Sequence, residues 1–254
     1  PKQEDYYPKV NQKKVLFVSD ILMNNNKINI NPNDHALMGH YGNVMLTNGE
    51  ENYNLDLKQG EVTRLYIINS ANARPFKIKM DGIKMKLIGD DNGAYEIPKF
   101  VSELIISPSE RRIVDIYAGK IGNYKLQNVT PKNTYDLAQI NIIEADTKQN
   151  INTLHSFFEI ENNLAAIKDI DIYRKYFNNK VDKRLQIKLD MNMGTVNKDG
   201  IEWEDARMNM MDSVDKTKWK IIDMDTDKDN MNINWNLEKD KPIIIEINNP
   251  STGM

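Results

Sequence analysis

Residues 60–82 read G-E-V-T-R-L-Y-I-I-N-S-A-N-A-R-P-F-K-I-K-M-D-G, and residues 90–117 read D-D-N-G-A-Y-E-I-P-K-F-V-S-E-L-I-I-S-P-S-E-R-R-I-V-D-I-Y. Leu65, Ile67 and Asn69 alternate with Tyr66, Ile68 and Ser70, which is the period of a strand. Phe76, Ile78 and Met80 alternate with Lys77 and Lys79, as in a strand with one wet face. Asp81-Gly82 is a hairpin-type turn signal before Met85 to Ile88. Asp91-Asn92-Gly93 and Pro98 punctuate again, and Leu104 to Ile106 and Ile113 to Tyr117 flank the turn Pro108 to Arg111. Short strands at such regular spacing, with turn residues between them, predict an all-β sandwich or barrel.

Taken in order, Arg64-Leu65, Asn69, Asn72-Ala73-Arg74, Asp81-Gly82, Asp90 to Gly93, Pro98 and Pro108 to Arg111 form one specific pattern. It resembles the middle cupredoxin domain of a multicopper oxidase, the family of laccases and copper-efflux oxidases. The family more often has Asp-Gly-Gly where this chain has Asp91-Asn92-Gly93. Two flanking stretches resemble the family as well. Met38 to Gly49 carries a Gly-rich turn and then a strand and turn, and Gly122-Asn123-Tyr124 opens a strand near the domain's end. The resemblance implies Greek-key β-sandwich domains.

A chain of 254 residues exceeds one typical domain and suits two of about 100–150 residues. A core of that size needs no disulfides, and the chain has no cysteine to make them, which also excludes a zinc–thiolate site. Net charge is −3, from 34 basic and 37 acidic residues well mixed along the chain. No basic stripe points to nucleic acid, and no apolar run approaches the length of a membrane span. The first residue is Pro1 rather than Met, which suggests a processed or shortened N-terminus.

Residues 1–12 are polar and read as a tail or linker. Residues 13–145 read as the middle cupredoxin-like domain, 146–158 as a polar linker, and 159–254 as the N-terminal part of a second cupredoxin-like domain. Val15 to Val18 is a continuous apolar run expected as a strand buried on both faces. Asp20 to Asn33 is Asn-rich and loop-like. Leu164 to Phe177 is the best helix candidate, with partial helical spacing. Leu185 to Leu189, Trp219 to Asp223 and Ile243 to Ile247 read as strands.

An internal repeat supports the two-domain plan. Asn52, Asn54, Leu57 and Gly60 line up with Asn232, Asn234, Leu237 and Asp240, and at the same offset Leu65, Ile67 and Asn69 meet Ile245, Ile247 and Asn249. About sixty residues follow Asn69 before the first copy closes, whereas five follow Asn249. The second domain is therefore expected to be incomplete, with unpaired strand edges. Asp223 to Trp235 and Ile245 to Asn249 resemble the lead-in to the family's last cupredoxin domain, ahead of its histidine-rich copper motif. The resemblance places the family's copper ligands outside this chain. A blue-copper site needs a Cys thiolate, the trinuclear cluster needs His-x-His pairs, and the chain contains neither.

The remaining candidates carry little. His35 and His40 stand five apart in a Gly-rich stretch with Asp34 as the one nearby acid, and read as water-facing; His155 stands alone. Met191, Met193, Met208, Met210 and Met211 are soft donors that suit Cu(I), in a region where copper-efflux oxidases carry a Met-rich insertion. Their plainer reading is flexible core and loop filler. The acid pairs Glu110 with Asp115 and Asp223 with Asp225 read as solvated rather than catalytic. No catalytic, cofactor-binding or metal residue is assigned.

The resemblance thus implies a parent multicopper oxidase that couples one-electron oxidation of a phenol or a metal ion to reduction of dioxygen to water. It implies copper in the parent and none in this chain, which alone is expected to be inert. Its partners are then the remaining cupredoxin domains of the same protein, or a partner chain completing the second domain, in an extracytoplasmic location. A copper-free family member, serving a structural or interaction role in the cell envelope, is the alternative. A two-domain nitrite-reductase-like copper protein fits poorly, because the first domain retains no ligand set.

Overall fold

The computed structural model describes residues 6–29, 39–145, 151–190, 200–210 and 218–250. These fall into two compact units, one of described residues up to 169 and one from 170 onward. The first unit holds β1 (Gln12–Ile21), β2 (Met23–Asn24), β3 (Lys27–Ile28), β4 (Val44–Thr47), β5 (Tyr53–Lys58), β6 (Val62–Asn69) and β7 (Phe76–Lys79). It continues with β8 (Lys84–Asp90), β9 (Gly93–Val101), β10 (Leu104–Ile106), β11 (Arg111–Tyr117), β12 (Gly122–Val129), β13 (Thr134–Ile143) and helix α1 (Ile151–Phe158). Helix α2 (Leu164–Arg174) spans the division between the units.

Two sheets enclose one core. The six-stranded sheet runs β4-β1-β6-β11-β8-β9 and the five-stranded sheet β10-β7-β12-β13-β5. The expected alternation holds: Leu65, Ile67 and Asn69 of β6 and Phe76 and Ile78 of β7 point inward and are fully buried. They meet Leu16, Val18, Val114 and Ile116 from the first sheet and Leu55, Leu57, Leu126 and Ile140 from the second. Each of the apolar side chains stabilises the fold by about 1.5–3 kcal/mol. β1 departs from the expectation of burial on both faces. Leu16 and Val18 face the core, while Val15 and Phe17 are about half exposed, because β1 belongs to a sheet whose outer side is only partly covered. The Asn-rich stretch after Asp20 is not all loop: Asn25 and Asn26 both take left-handed φ angles and turn the small hairpin β2–β3. Gly82 has φ +82°, and a side chain there would meet the Tyr124 ring at 2.9 Å, so the turn after β7 needs glycine twice over.

The second unit contains β14 (Lys183–Asp190), α3 (Asp205–Met210), β15 (Lys218–Asp223) and β16 (Ile245–Asn248) in a sheet ordered β15-β14-β16. β14 pairs antiparallel with β15 and parallel with β16. This reproduces β1, which pairs antiparallel with β4 and parallel with β6. Of the residues aligned in the sequence repeat, those of β6 and β16 therefore hold equivalent places beside β1 and β14.

The copies differ in what covers them. In the first unit β11 flanks β6 and β13 flanks β5. Among the described residues nothing pairs with the far edge of β16, and residues 233–238, the counterpart of β5, form no strand. Leu57, Leu65 and Ile67 are at most 1% exposed, whereas their counterparts Leu237, Ile245 and Ile247 are 50%, 40% and 62% exposed. Among the described residues the second unit thus has a three-stranded sheet and no second sheet facing it.

The segment 146–158, expected as a polar linker, carries α1 over its second part. Phe157 is buried in an aromatic cluster with Phe100, Tyr117 and Phe158. Ile151, Leu154 and Phe158 have helical spacing, a signal hidden by the polar run before them. Among the described residues no helix is long and apolar enough to cross a membrane.

Candidate functional site

The family-type motif residues are engaged in building the sandwich. Asn69 ends β6 at the crossing between sheets. Its Nδ2 donates to the carbonyls of Arg74 (2.8 Å) and Ile106 (2.9 Å), and its Oδ1 accepts from the Ala71 amide. Arg74 is 1% exposed. Its Nε donates to Asp20 Oδ2 at 2.6 Å, Nη2 donates to the Gly42 carbonyl, and the guanidinium lies over the rings of Tyr41 and Tyr135. Asp20 Oδ2 also accepts the Gly42 amide. A buried fork of this kind suits Arg, whose several donors are fixed in one plane. Asn72 Oδ1 accepts the His40 amide, so the Gly-rich turn and the motif hold each other.

A second polar cluster lies on the outer side of the six-stranded sheet. Asp115 of β11 is in register with Arg64 of β6 and with Lys86 of β8, so a cation, an anion and a cation form one row across three strands. Arg64 donates to both Asp115 oxygens at 2.8 Å. It also donates to the Pro8 carbonyl and lies over the Tyr7 ring. Lys86 Nζ donates to the carbonyls of Ser156 (2.9 Å) and Glu159 (2.6 Å), at the C-terminal end of α1, where a helix favours a cation. All three side chains are buried. Burial pushes the Asp115 carboxyl above its usual range in spite of Arg64 and Lys86 beside it. Burial also lowers Lys86, against the pull of Asp115, Glu161 and Glu159.

Beside this row is a cavity of about 340 Å³, lined by Tyr6, Tyr7, Lys86, Tyr95, Glu159 and Asn163 among others. Burial and a hydrogen bond to Asp90 push the Tyr95 hydroxyl up to about 12. A side chain at Gly89 would meet the Gly93 carbonyl at 2.4 Å and the Tyr7 hydroxyl at 2.9 Å, so the turn into β9 and the N-terminal segment both use the room glycine leaves.

One member of each acid pair, Asp115 and Asp223, is buried rather than solvated, while Asp225 is exposed and Glu110 partly so. Asp115 is separated from Glu110 by its bond to Arg64, while Glu110 accepts from the Ser107 amide and from Arg112. Asp223 is buried, accepting from Trp235 Nε1 (2.9 Å), the Asp225 amide and the Thr226 hydroxyl. The alternation that exposed the strands could not show this, because it assigns an outward residue to water whether or not a segment distant in sequence covers it. His155 is exposed on α1, and His40 is held through its backbone. Met208 is buried and Met210 closes α3. His35, Met191, Met193 and Met211 lie outside the described residues. Among the described residues no group of three or more His, Cys, Asp or Glu could hold a metal ion. The donor set does not fit a blue-copper centre, which needs a thiolate that this chain cannot supply.

A family model described as "Multicopper oxidase" matches residues 3–152, more than half of the chain. The chain belongs to the multicopper oxidase family. Among solved structures, the McoA multicopper oxidase of the hyperthermophile Aquifex aeolicus superposes with a TM-score of 0.53 at 17% identity, over 73% of this chain and 41% of that one. A multicopper oxidase from Pseudomonas thermotolerans gives 0.52 at 16% identity, over 70% and 41%. These likenesses establish the cupredoxin-type fold. Among curated relatives, a segment of 92 residues is 34% identical to the cell division protein FtsP of Xenorhabdus nematophila, covering 36% of this chain and 19% of that protein. FtsP of Photorhabdus laumondii is 36% identical over 83 residues. The match thus spans about a fifth of the length of these relatives.

Proposed function

We propose that this chain supplies the middle cupredoxin domain, and the opening strands of the next, to a multicopper oxidase. In that protein residues 13–145 act as a spacer that buttresses copper-bearing domains on either side. The parent protein oxidises a phenol or metal ion one electron at a time and reduces dioxygen to water with four electrons and four protons. The chemistry resides in copper held by other domains. The observation that carries this reading is that Arg64, Asn69 and Arg74, the core of the family pattern, are each engaged with backbone carbonyls or buried carboxylates. The open edge of β16 fits further strands of the same protein, or of a partner chain, completing the second sandwich. An extracytoplasmic location goes with this reading.

The FtsP relatives favour a second reading, in which the whole protein is copper-free and works as a structural or interaction protein of the cell envelope. The test is metal analysis and an oxidase assay, with phenolic, Cu(I) and Fe(II) substrates, on the full-length gene product. Several coppers per chain, a blue absorption and oxygen uptake support the oxidase. A soluble, folded, metal-free protein after copper loading supports the second reading and rejects the first.

A further inference from the structure

The two ends of the first unit meet at one place. Asn163, just before α2, donates from Nδ2 to the Tyr6 carbonyl at 2.6 Å and from its backbone amide to the Glu96 carbonyl on β9. Its Oδ1 accepts the Ala166 amide and so caps α2. The Tyr6 hydroxyl donates to Asp169 within α2. The incoming chain at Tyr6 to Pro8 and the outgoing chain at Ser156 to Asp169 are therefore bonded directly, across 157 and 163 residues of sequence.

They are also joined from beneath. Arg64 grips the incoming chain through the Pro8 carbonyl and the Tyr7 ring, and Lys86 grips the outgoing chain through the Ser156 and Glu159 carbonyls. Asp115 stands between the two cations and is in register with both. Without it, two buried like charges would face each other; without Lys86, two carbonyls at the end of α1 would lose a charged donor.

We propose that the row Arg64–Asp115–Lys86, with Asn163 and Tyr6 above it, is a clamp that locks the incoming and outgoing segments of the first unit to one another. Release of either segment frees the other. This rests on the reading of residues 13–145 as a middle domain, since only there do both segments lead to further domains. In that setting, displacing whatever precedes Tyr6 loosens the connection to whatever follows Asp169.

Hydrogen exchange on the full 254-residue chain tests the clamp without copper or oxidase activity, so its failure is distinct from failure of the oxidase reading. Lys86→Met keeps the aliphatic stem and removes the ammonium. Exchange is expected to rise about tenfold in α1 and also in residues 7–11, with β6 and β12 unchanged. Lys99→Met, at an exposed position on β9, is expected to change neither. Asn163→Ala cuts the upper bond and is expected to loosen residues 7–11 and α1 together, and it decides the matter if Lys86→Met does not fold. Loosening of α1 alone in Lys86→Met, or of the Asn163 neighbourhood alone in Asn163→Ala, overturns the proposal, as does no change in either.

Discussion

Asp115 accepts hydrogen bonds from Nε and Nη2 of Arg64 across the β6–β11 pair, at 2.8 Å each, with both side chains at most 5% exposed. Breaking such a pair from one side leaves a buried charge uncompensated. Asp115→Ala is expected to lower unfolding stability by about 3–5 kcal/mol. The double variant Arg64→Met with Asp115→Leu is expected to recover part of that loss, because the Arg64 charge is no longer stranded; the rest stays with Lys86, which loses its neighbouring carboxylate, and with the Pro8 carbonyl, which loses its donor. Urea unfolding midpoints of the three proteins check this.

Arg74 combines a carboxylate, a carbonyl and two ring faces. Lys keeps the charge and loses the planar fork. Arg74→Lys is expected to cost about 1–3 kcal/mol, and the loss is expected first around the Gly-rich turn at Gly42, where exchange of the Gly42 amide reports it.

At Gly82 the left-handed φ and the Tyr124 ring both oppose a side chain. Gly82→Ala is expected to destabilise the first unit by at least about 1 kcal/mol. Replacing Gly49, also at a positive φ but with nothing within 4 Å, is expected to cost less. Thermal unfolding of the two variants separates conformational strain from crowding.

Asp223 ties the second unit's turn to Trp235. Hydrogen bonds from the indole N–H, then from the Asp225 amide and the Thr226 hydroxyl, hold its carboxyl below the usual range. A depressed carboxylate contributes stability that is present above its unfolded value and is lost as pH falls through the folded value. The Trp235 indole N–H resonance is therefore expected to shift in an acid titration with a midpoint below that of an ordinary aspartate. Asp223→Asn is expected to abolish that titration.

The strands were legible because a half-buried strand writes its period directly into the chain, as Leu65, Ile67 and Asn69 or Phe76 and Ile78 do. The repeat was legible for the same reason, Ile245 and Ile247 being placed like Leu65 and Ile67. The clamp was not. Arg64, Asp115 and Lys86 occupy outward positions that alternation assigns to water, and they are buried by segments more than fifty residues away. Val15 and Phe17 show the converse: apolar side chains on the same outer side stay partly exposed where nothing described covers them.

The most direct test of the central claim, that this chain is family architecture without a copper site, is metal analysis of the purified 254-residue chain after loading with Cu(I) and Cu(II) and removal of free metal. The account predicts far less than one copper per chain and no blue absorption. One tightly held copper per chain would contradict it and would place a copper site among residues such as Met191, Met193 and Met211.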